Sequence, residues 1–283
     1  PHRAGGEMRD DMERKNKKEN IMLENEIKLV ALDMDGTLLD SEKNPPEDFE
    51  DWVRSHTEIQ TVLASGRQYQ TLRNMFPSLE ENLLYVSDNG GFVFRNGEMV
   101  YNDAMLRENI LWCIDTFDGR EGLHLILCGA KAGYMRPSPG EAEENARIYY
   151  DSLEIVDSLY DYVDKDCIAK VAIFVENGGG EKLYQSMPEL PEGVSAVLSG
   201  ESWVDFANDT TSKGSAMEAI QKKLDIQREE SMAFGDYLND CELLLSCAES
   251  YAMENAHPEL KKYAKYQTAS NDDDGVMKVL RTL

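Results

Sequence analysis

The stretch Ala31-Leu32-Asp33-Met34-Asp35-Gly36-Thr37 sets two carboxylates one residue apart where an apolar run breaks off. The run, residues 27–32, is interrupted only by Lys28, and such a run suits a strand buried on both faces. The same sequence of events recurs. Ser65-Gly66-Arg67 closes the run at 59–65, and Asp236-Tyr237-Leu238-Asn239-Asp240 follows the run at 231–235. Lys213-Gly214 opens a segment in which Ala216, Ala219, Ile220 and Leu224 repeat at helical spacing. In an open parallel sheet, sites form beyond the carboxyl ends of the strands. Four carboxylates, a hydroxyl, an amide and a lysine are therefore expected to converge on one edge.

Carboxylates at close range repel unless a cation sits among them. Oxygen donors suit Mg²⁺, whereas zinc prefers His and Cys. Mg²⁺ with open positions binds phosphate oxygens, and Lys213 adds positive charge. Ser65 and the Gly66 backbone N–H can donate to the remaining phosphate oxygens, and Gly36 allows a tight turn after the strand. A carboxylate facing a clamped phosphoryl group can attack it in line, and a second carboxyl can protonate the leaving alcohol and then activate water. One aspartate as nucleophile and the other as acid and base would explain the pair. Each piece alone has a plainer reading: a helix-capping loop for Asp-x-Asp, an ordinary turn for Ser65-Gly66, a surface lysine, and N-caps at Asp236 and Asp240. Their occurrence together, each at a strand end or helix start, favours a site.

Positioning these residues requires strands at 27–33, 59–65, 83–87 and 231–235, with shorter ones near 251–253 and 266–268, separated by helices. That alternation predicts an α/β fold, a parallel sheet with helices on both faces. Between 92 and 203 the pattern changes. Apolar runs at 123–128 and 169–175, helix-like segments at 104–117 and 141–153, and clustered Gly and Pro predict a separate α+β module inserted into the first domain. The first domain is expected at 27–91 and 204–283, and residues 1–26 as a polar arm, disordered or helical. The acidic patch Asn271–Gly275 reads as a solvated loop.

Composition narrows the function. The 283-residue chain has 54 acidic against 29 basic side chains, a formal charge of −25. That argues against nucleic-acid and membrane-surface partners. No apolar run approaches the roughly 18 residues of a membrane span. The five cysteines, without a C-x-x-C pair, suit reduced thiols in a cytoplasmic protein.

The set D-M-D-G-T-L, A-S-G-R, K-G and G-D-Y-L-N-D resembles the four motifs of the haloacid dehalogenase-like hydrolases. S-D-N-G-G at 87–91, S-K-G-S-A at 212–216 and M-E-N-A-H-P-E-L-K at 253–261 resemble the Cof-type phosphatase subgroup. The resemblance spans about residues 27–283, and it implies an α/β fold with a Rossmann-like parallel-sheet hydrolase core at 27–91 and 204–283 and an inserted α/β cap domain at 92–203. It implies Asp33 as nucleophile and Asp35 as general acid and base. It implies Mg²⁺ held by Asp33, the Asp35 backbone carbonyl and Asp236, and phosphate held by Ser65, Gly66, Lys213, Asn239 and the Met34 backbone. Thr37 and Asp240 would support the site. Two departures are visible: Ser65 stands where threonine is more usual, and Asn208–Thr211 is more polar than the common pattern. The expected function is a Mg²⁺-dependent phosphatase acting on a small phosphorylated metabolite, such as a sugar phosphate, through an aspartyl-phosphate. A phosphotransferase or mutase, and a non-catalytic phospho-ligand-binding protein, are the alternatives. A dehalogenase is disfavoured, because halide departure needs no acid at Asp35.

Overall fold

The computed structural model describes residues 26–138 and 140–283. The arm expected over 1–26 lies, apart from Glu26, outside the described residues. In chain order the first sheet begins with β1 (Leu29–Asp33), helix α1 (Phe49–Ser55), β2 (Gln60–Ala64), α2 (Tyr69–Met75) and β3 (Leu83–Ser87). The hairpin β4 (Phe92–Arg95) and β5 (Glu98–Asn102) follows. A second unit then runs through α3 (Arg107–Phe117), β6 (Leu123–Gly129), β7 (Gly133–Met135), α4 (Glu141–Tyr149), β8 (Leu153–Ile155), β9 (Ile168–Val175), α5 (Gly180–Gln185), β10 (Val194–Gly200) and β11 (Trp203–Asn208). The chain returns through α6 (Lys213–Leu224), β12 (Ser231–Gly235), α7 (Cys241–Leu245), β13 (Glu249–Ala252), β14 (Tyr266–Gln267) and α8 (Gly275–Leu280).

The first sheet has the order β14-β13-β12-β1-β2-β3-β4-β5. From β14 to β3 the pairing is parallel, and β4 and β5 add antiparallel. Every residue of β1 is buried, because the strand has neighbours on both edges and helices on both faces. Asp33 lies opposite Ala64 of β2, and Leu32 opposite Phe234 of β12. The ends of these three strands therefore lie side by side where the strand order reverses, which is where an α/β sheet leaves a crevice.

The second sheet has the order β10-β11-β9-β6-β7-β8. It is antiparallel except where β7 pairs with β8. Sheet membership divides the chain differently from the expected 92–203 insert. Phe92–Asn102 lengthens the first sheet, and Trp203–Asn208 belongs to the second. Both strand choices depend on partners distant in sequence, which a local pattern does not reveal.

Other local differences have visible causes. The segment expected as a helix from 104 begins at Arg107, because the backbone carbonyls of Asp103 and Ala104 accept from the Asn208 side chain. The segment expected as a helix to 153 stops at Tyr149, and Leu153–Ile155 pairs with β7 instead. Asn208, Thr210 and Thr211, whose polarity stood out, all converge on Asp103 and tie together the two segments by which the chain passes between the sheets. The acidic patch is exposed but engaged. Asp272 accepts from the Ser41 N–H and hydroxyl, and Asn271 donates to the Leu39 carbonyl, bracing the loop after β1. Among the described residues no helix is long and apolar enough to cross a membrane.

Candidate active site

Lys213 is the first residue of α6, whose start is set by a reciprocal cap between Ser212 and Ser215. Its side chain is fully buried, and its ammonium donates to Asp33 Oδ1 and to Asp240 Oδ1, each at 2.6 Å. Asp240 is also fully buried, and its other oxygen accepts from the Asp236 and Tyr237 N–H groups. Burying three charges this closely is costly unless each is paired and hydrogen-bonded. Asp240 and Lys213 meet that condition. Asp33 does not: its Oδ2 is buried and has no hydrogen-bond partner.

Asp236 stands beside that unpaired oxygen and accepts from the Thr37 hydroxyl at 3.3 Å. Gly36, at φ +82°, lies so close that a Cβ there would overlap the Asp236 carboxylate. Only glycine suits that conformation and that approach. Burial pushes the Asp33 carboxyl well above its ordinary range, and repulsion from Asp240 and Asp236 adds to it against the pull of Lys213. Burial and Asp240 likewise push Asp236 up. Ligand oxygens of Asp33, Asp236 and Asp240 lie within 4.8 Å of one another. Both Asp240 oxygens are already occupied, so the set free to hold a cation is Asp33 Oδ2 and Asp236. Two crowded carboxylates of raised pKa, one with an unsatisfied oxygen, fit a small hard cation such as Mg²⁺.

Asp35 is placed otherwise. Its carboxylate receives both the Nε and Nη2 hydrogens of Arg67, at 2.8 and 2.7 Å, and Lys43 lies 3.0 Å away. Burial would raise its pKa, but the hydrogen bonds from Arg67 and Lys43 outweigh it and hold the carboxyl below its ordinary range. The Arg67 N–H in turn donates to Ser65 Oγ at 3.1 Å. This leaves the Ser65 hydroxyl hydrogen available, so Arg67 links Asp35 to the Ser65 loop.

Asn239 and Gly66 meet through Asn89. The Asn239 amide donates to Asn89 Oδ1 at 3.0 Å, and the Asn89 side chain lies against Gly66. The Asn89 N–H donates to the Ser65 carbonyl. Asp88 and Asn89 both adopt positive φ, 50° and 56°, so this turn stores strain of the kind that clusters at sites. The Met34 side chain is fully buried, and its carbonyl accepts from the Thr37 and Leu39 N–H groups.

Every site residue read from the sequence thus stands at this edge of the first sheet. Asp33, Lys213, Asp236, Asp240 and Thr37 form one chain of neighbours, with Thr37 reached through Asp236, and Ser65, Gly66 and Asn239 form a second group joined by Asn89. Asp35 is drawn toward Arg67 and Lys43. Sequence reasoning gave no part to Arg67, Lys43 or Asn89. Arg67 and Asn89 stand inside the quoted A-S-G-R and S-D-N-G-G stretches, which were their local signal.

Comparison with known proteins identifies the family. The family model described as haloacid dehalogenase-like hydrolase matches residues 30–280. The Escherichia coli K12 protein named 5-amino-6-(5-phospho-D-ribitylamino)uracil phosphatase YbjI is 30% identical over 262 residues, covering 90% of this chain and 95% of that protein. A solved Eubacterium rectale structure superposes with a TM-score of 0.81 at 25% identity, covering 90% of this chain and 98% of that one. A Streptococcus mutans UA159 structure gives 0.76 at 27% identity over 90% and 98%.

Proposed function

Because the chain belongs to the haloacid dehalogenase-like hydrolases and is a phosphoric monoester hydrolase, we propose that it is a cytoplasmic, Mg²⁺-dependent phosphatase working through an aspartyl-phosphate on Asp33. The observation that carries this reading is the Asp33 carboxylate, with one oxygen fixed by Lys213 and the other buried, unpaired and beside Asp236.

A cation would be held by Asp33, Asp236 and the Asp35 backbone carbonyl. When bound it would neutralise negative charge on the phosphoryl group. Ser65, the Gly66 N–H, Lys213, Asn239 and the Met34 backbone would hold the phosphate oxygens. The Asp33 carboxylate oxygen not engaged by the cation then attacks phosphorus as the bond to the ester oxygen breaks. The departing alkoxide takes a proton from Asp35, which next removes a proton from water. That water attacks phosphorus, releases inorganic phosphate and restores Asp33. Arg67 and Lys43 hold Asp35 in its charged form, so an arriving phosphate dianion must compete for those cations before Asp35 can carry a proton.

The substrate class that suits the site is a small phosphorylated metabolite, a sugar phosphate or similar ester. The ribityl phosphate in the name of the E. coli relative is of this kind. The net charge of −25 disfavours nucleic-acid and anionic-membrane partners, and five free cysteines suit a reducing compartment. We assign substrate discrimination to the second sheet and its helices, which would close over the site.

The test is a rapid acid quench with a ³²P-labelled ester. The wild type with Mg²⁺ should carry label on the peptide containing Asp33, Asp33→Asn should carry none, and EDTA should abolish phosphate release. Label on another residue, or full turnover in EDTA after bound metal is stripped, would refute the mechanism.

A further inference from the structure

The stretch M-E-N-A-H-P-E-L-K at 253–261 follows β13, and none of its side chains belongs to the site described above. Strand β13 pairs parallel with β12, so the stretch leaves the sheet at the same carboxyl edge as Asp236. It is fastened along that loop. The Met253 N–H donates to the Gly235 carbonyl at 3.1 Å, and the His257 N–H donates to the Asp236 carbonyl at 2.8 Å.

Asn255, between those two anchors, reaches the loop after β1. Its amide donates to the Gly36 carbonyl at 2.8 Å. Its Oδ1 accepts from the Asn271 N–H at 3.1 Å, and the Asn271 amide donates to the Leu39 carbonyl at 2.9 Å. Asp272 adds a further hold by accepting from the Ser41 N–H and hydroxyl. The loop after β1 is thus held at Gly36, Leu39 and Ser41, by Asn255 and by the turn that Asn255 grips.

The point of the grip matters. The Gly36 carbonyl lies one peptide beyond the Asp35 carbonyl, which is assigned above to the cation. Gly36 sits at φ +82° against the Asp236 carboxylate. A glycine has no Cβ to restrict its backbone, so neighbouring hydrogen bonds must fix the peptide planes of this turn. Asn255 is exposed. Water can replace its hydrogen bonds there, so they contribute little to global stability. Water cannot reproduce the spacing they impose between the Gly36 turn and the Asp236 loop.

We propose that Asn255 is a positioning residue for the cation site. It holds the Asp35–Gly36 turn at a fixed distance from Asp236, so that the Asp35 carbonyl, Asp33 and Asp236 face one point. This role rests on the phosphatase reading above and gives the 253–257 stretch its part in it. Groups that orient metal ligands are worth about 10–100-fold in metal affinity. Asn255 acts one peptide away from the ligand carbonyl, so the lower end of that range applies.

The test is calorimetric titration of Mg²⁺ into the wild type and Asn255→Ala, both stripped of metal, beside urea unfolding of each in EDTA. Asn255→Ala should bind Mg²⁺ about tenfold more weakly. Its urea midpoint should move by less than about 0.5 M, as the loss of exposed hydrogen bonds requires. The Mg²⁺ concentration giving half-maximal hydrolysis of p-nitrophenyl phosphate should rise by the same factor as the dissociation constant. Equal Mg²⁺ affinities in the two proteins would overturn the positioning role. So would weaker binding accompanied by a larger fall in the urea midpoint, which would make Asn255 a general brace of the fold. A wild type that binds no Mg²⁺ would instead refute the cation reading itself, and the role of Asn255 with it.

Discussion

Replacing Lys213 by methionine tests the electrostatic frame of the site. The ammonium is fully buried and lies 2.6 Å from each of Asp33 and Asp240. Removing one partner of a buried pair costs about 3–5 kcal/mol, because the charge left behind has no compensation. Part of that cost can be relieved by protonating Asp33, whose carboxyl burial and its acidic neighbours already push up while Lys213 pulls it down. Without Lys213 the pull is lost and the folded-state pKa rises further. A carboxyl with a folded pKa above its unfolded one keeps a proton that the unfolded chain releases. Stability therefore falls as pH rises from about 4, the unfolded value, through the folded value. The slope approaches about 1.4 kcal/mol per pH unit while one proton separates the two states. The wild type has the same sign over a narrower window. Urea unfolding of both proteins in EDTA at pH 5.5 and pH 8 measures this. The deficit of Lys213→Met should be larger at pH 8, by about 1–3 kcal/mol. A variant within about 1 kcal/mol of the wild type at pH 8, or a deficit that shrinks as pH rises, would refute the reasoning.

Asp35→Asn keeps the nucleophile but removes the proton carrier, so turnover should fall by about 10²–10⁴-fold. With an aryl phosphate, whose leaving group needs little protonation, phosphorylated Asp33 should accumulate. Acid quench and peptide mapping would detect it, and an unlabelled enzyme at steady state would count against the role given to Asp35. Gly36→Ala places a Cβ at φ +82° against the Asp236 carboxylate. It should cost about 1–3 kcal/mol of stability and weaken Mg²⁺ binding, read by calorimetric titration; unchanged Mg²⁺ affinity would show that Asp236 is not a ligand.

The strands nearest the site were legible because each is an apolar run buried on both faces and cut off by polar residues. Residues 27–33, 59–65, 83–87 and 231–235 correspond to β1, β2, β3 and β12 within a residue or two. Asp33, Asp236 and Asp240 could be gathered at one edge from order alone, because parallel strands present their carboxyl ends together. Lys213 could be added because it opens a helix. Those inferences need only local periodicity and a rule of topology. What the sequence did not show depends on partners far apart in the chain. Phe92–Asn102 reads as the start of an insert until β4 is seen paired with β3. Asp35 reads as a free carboxylate until Arg67 closes on it across 32 positions, and Asn89 gains a part only through Asn239, 150 positions away. Lys170 looks like an interruption in the run 169–175. Only the packing of the second sheet against the turn after β3 places it between Asp205 and Asp88. Backbone periodicity is encoded within a few residues, whereas a side chain's charge environment is set by whichever segments the fold brings within a few ångströms of it.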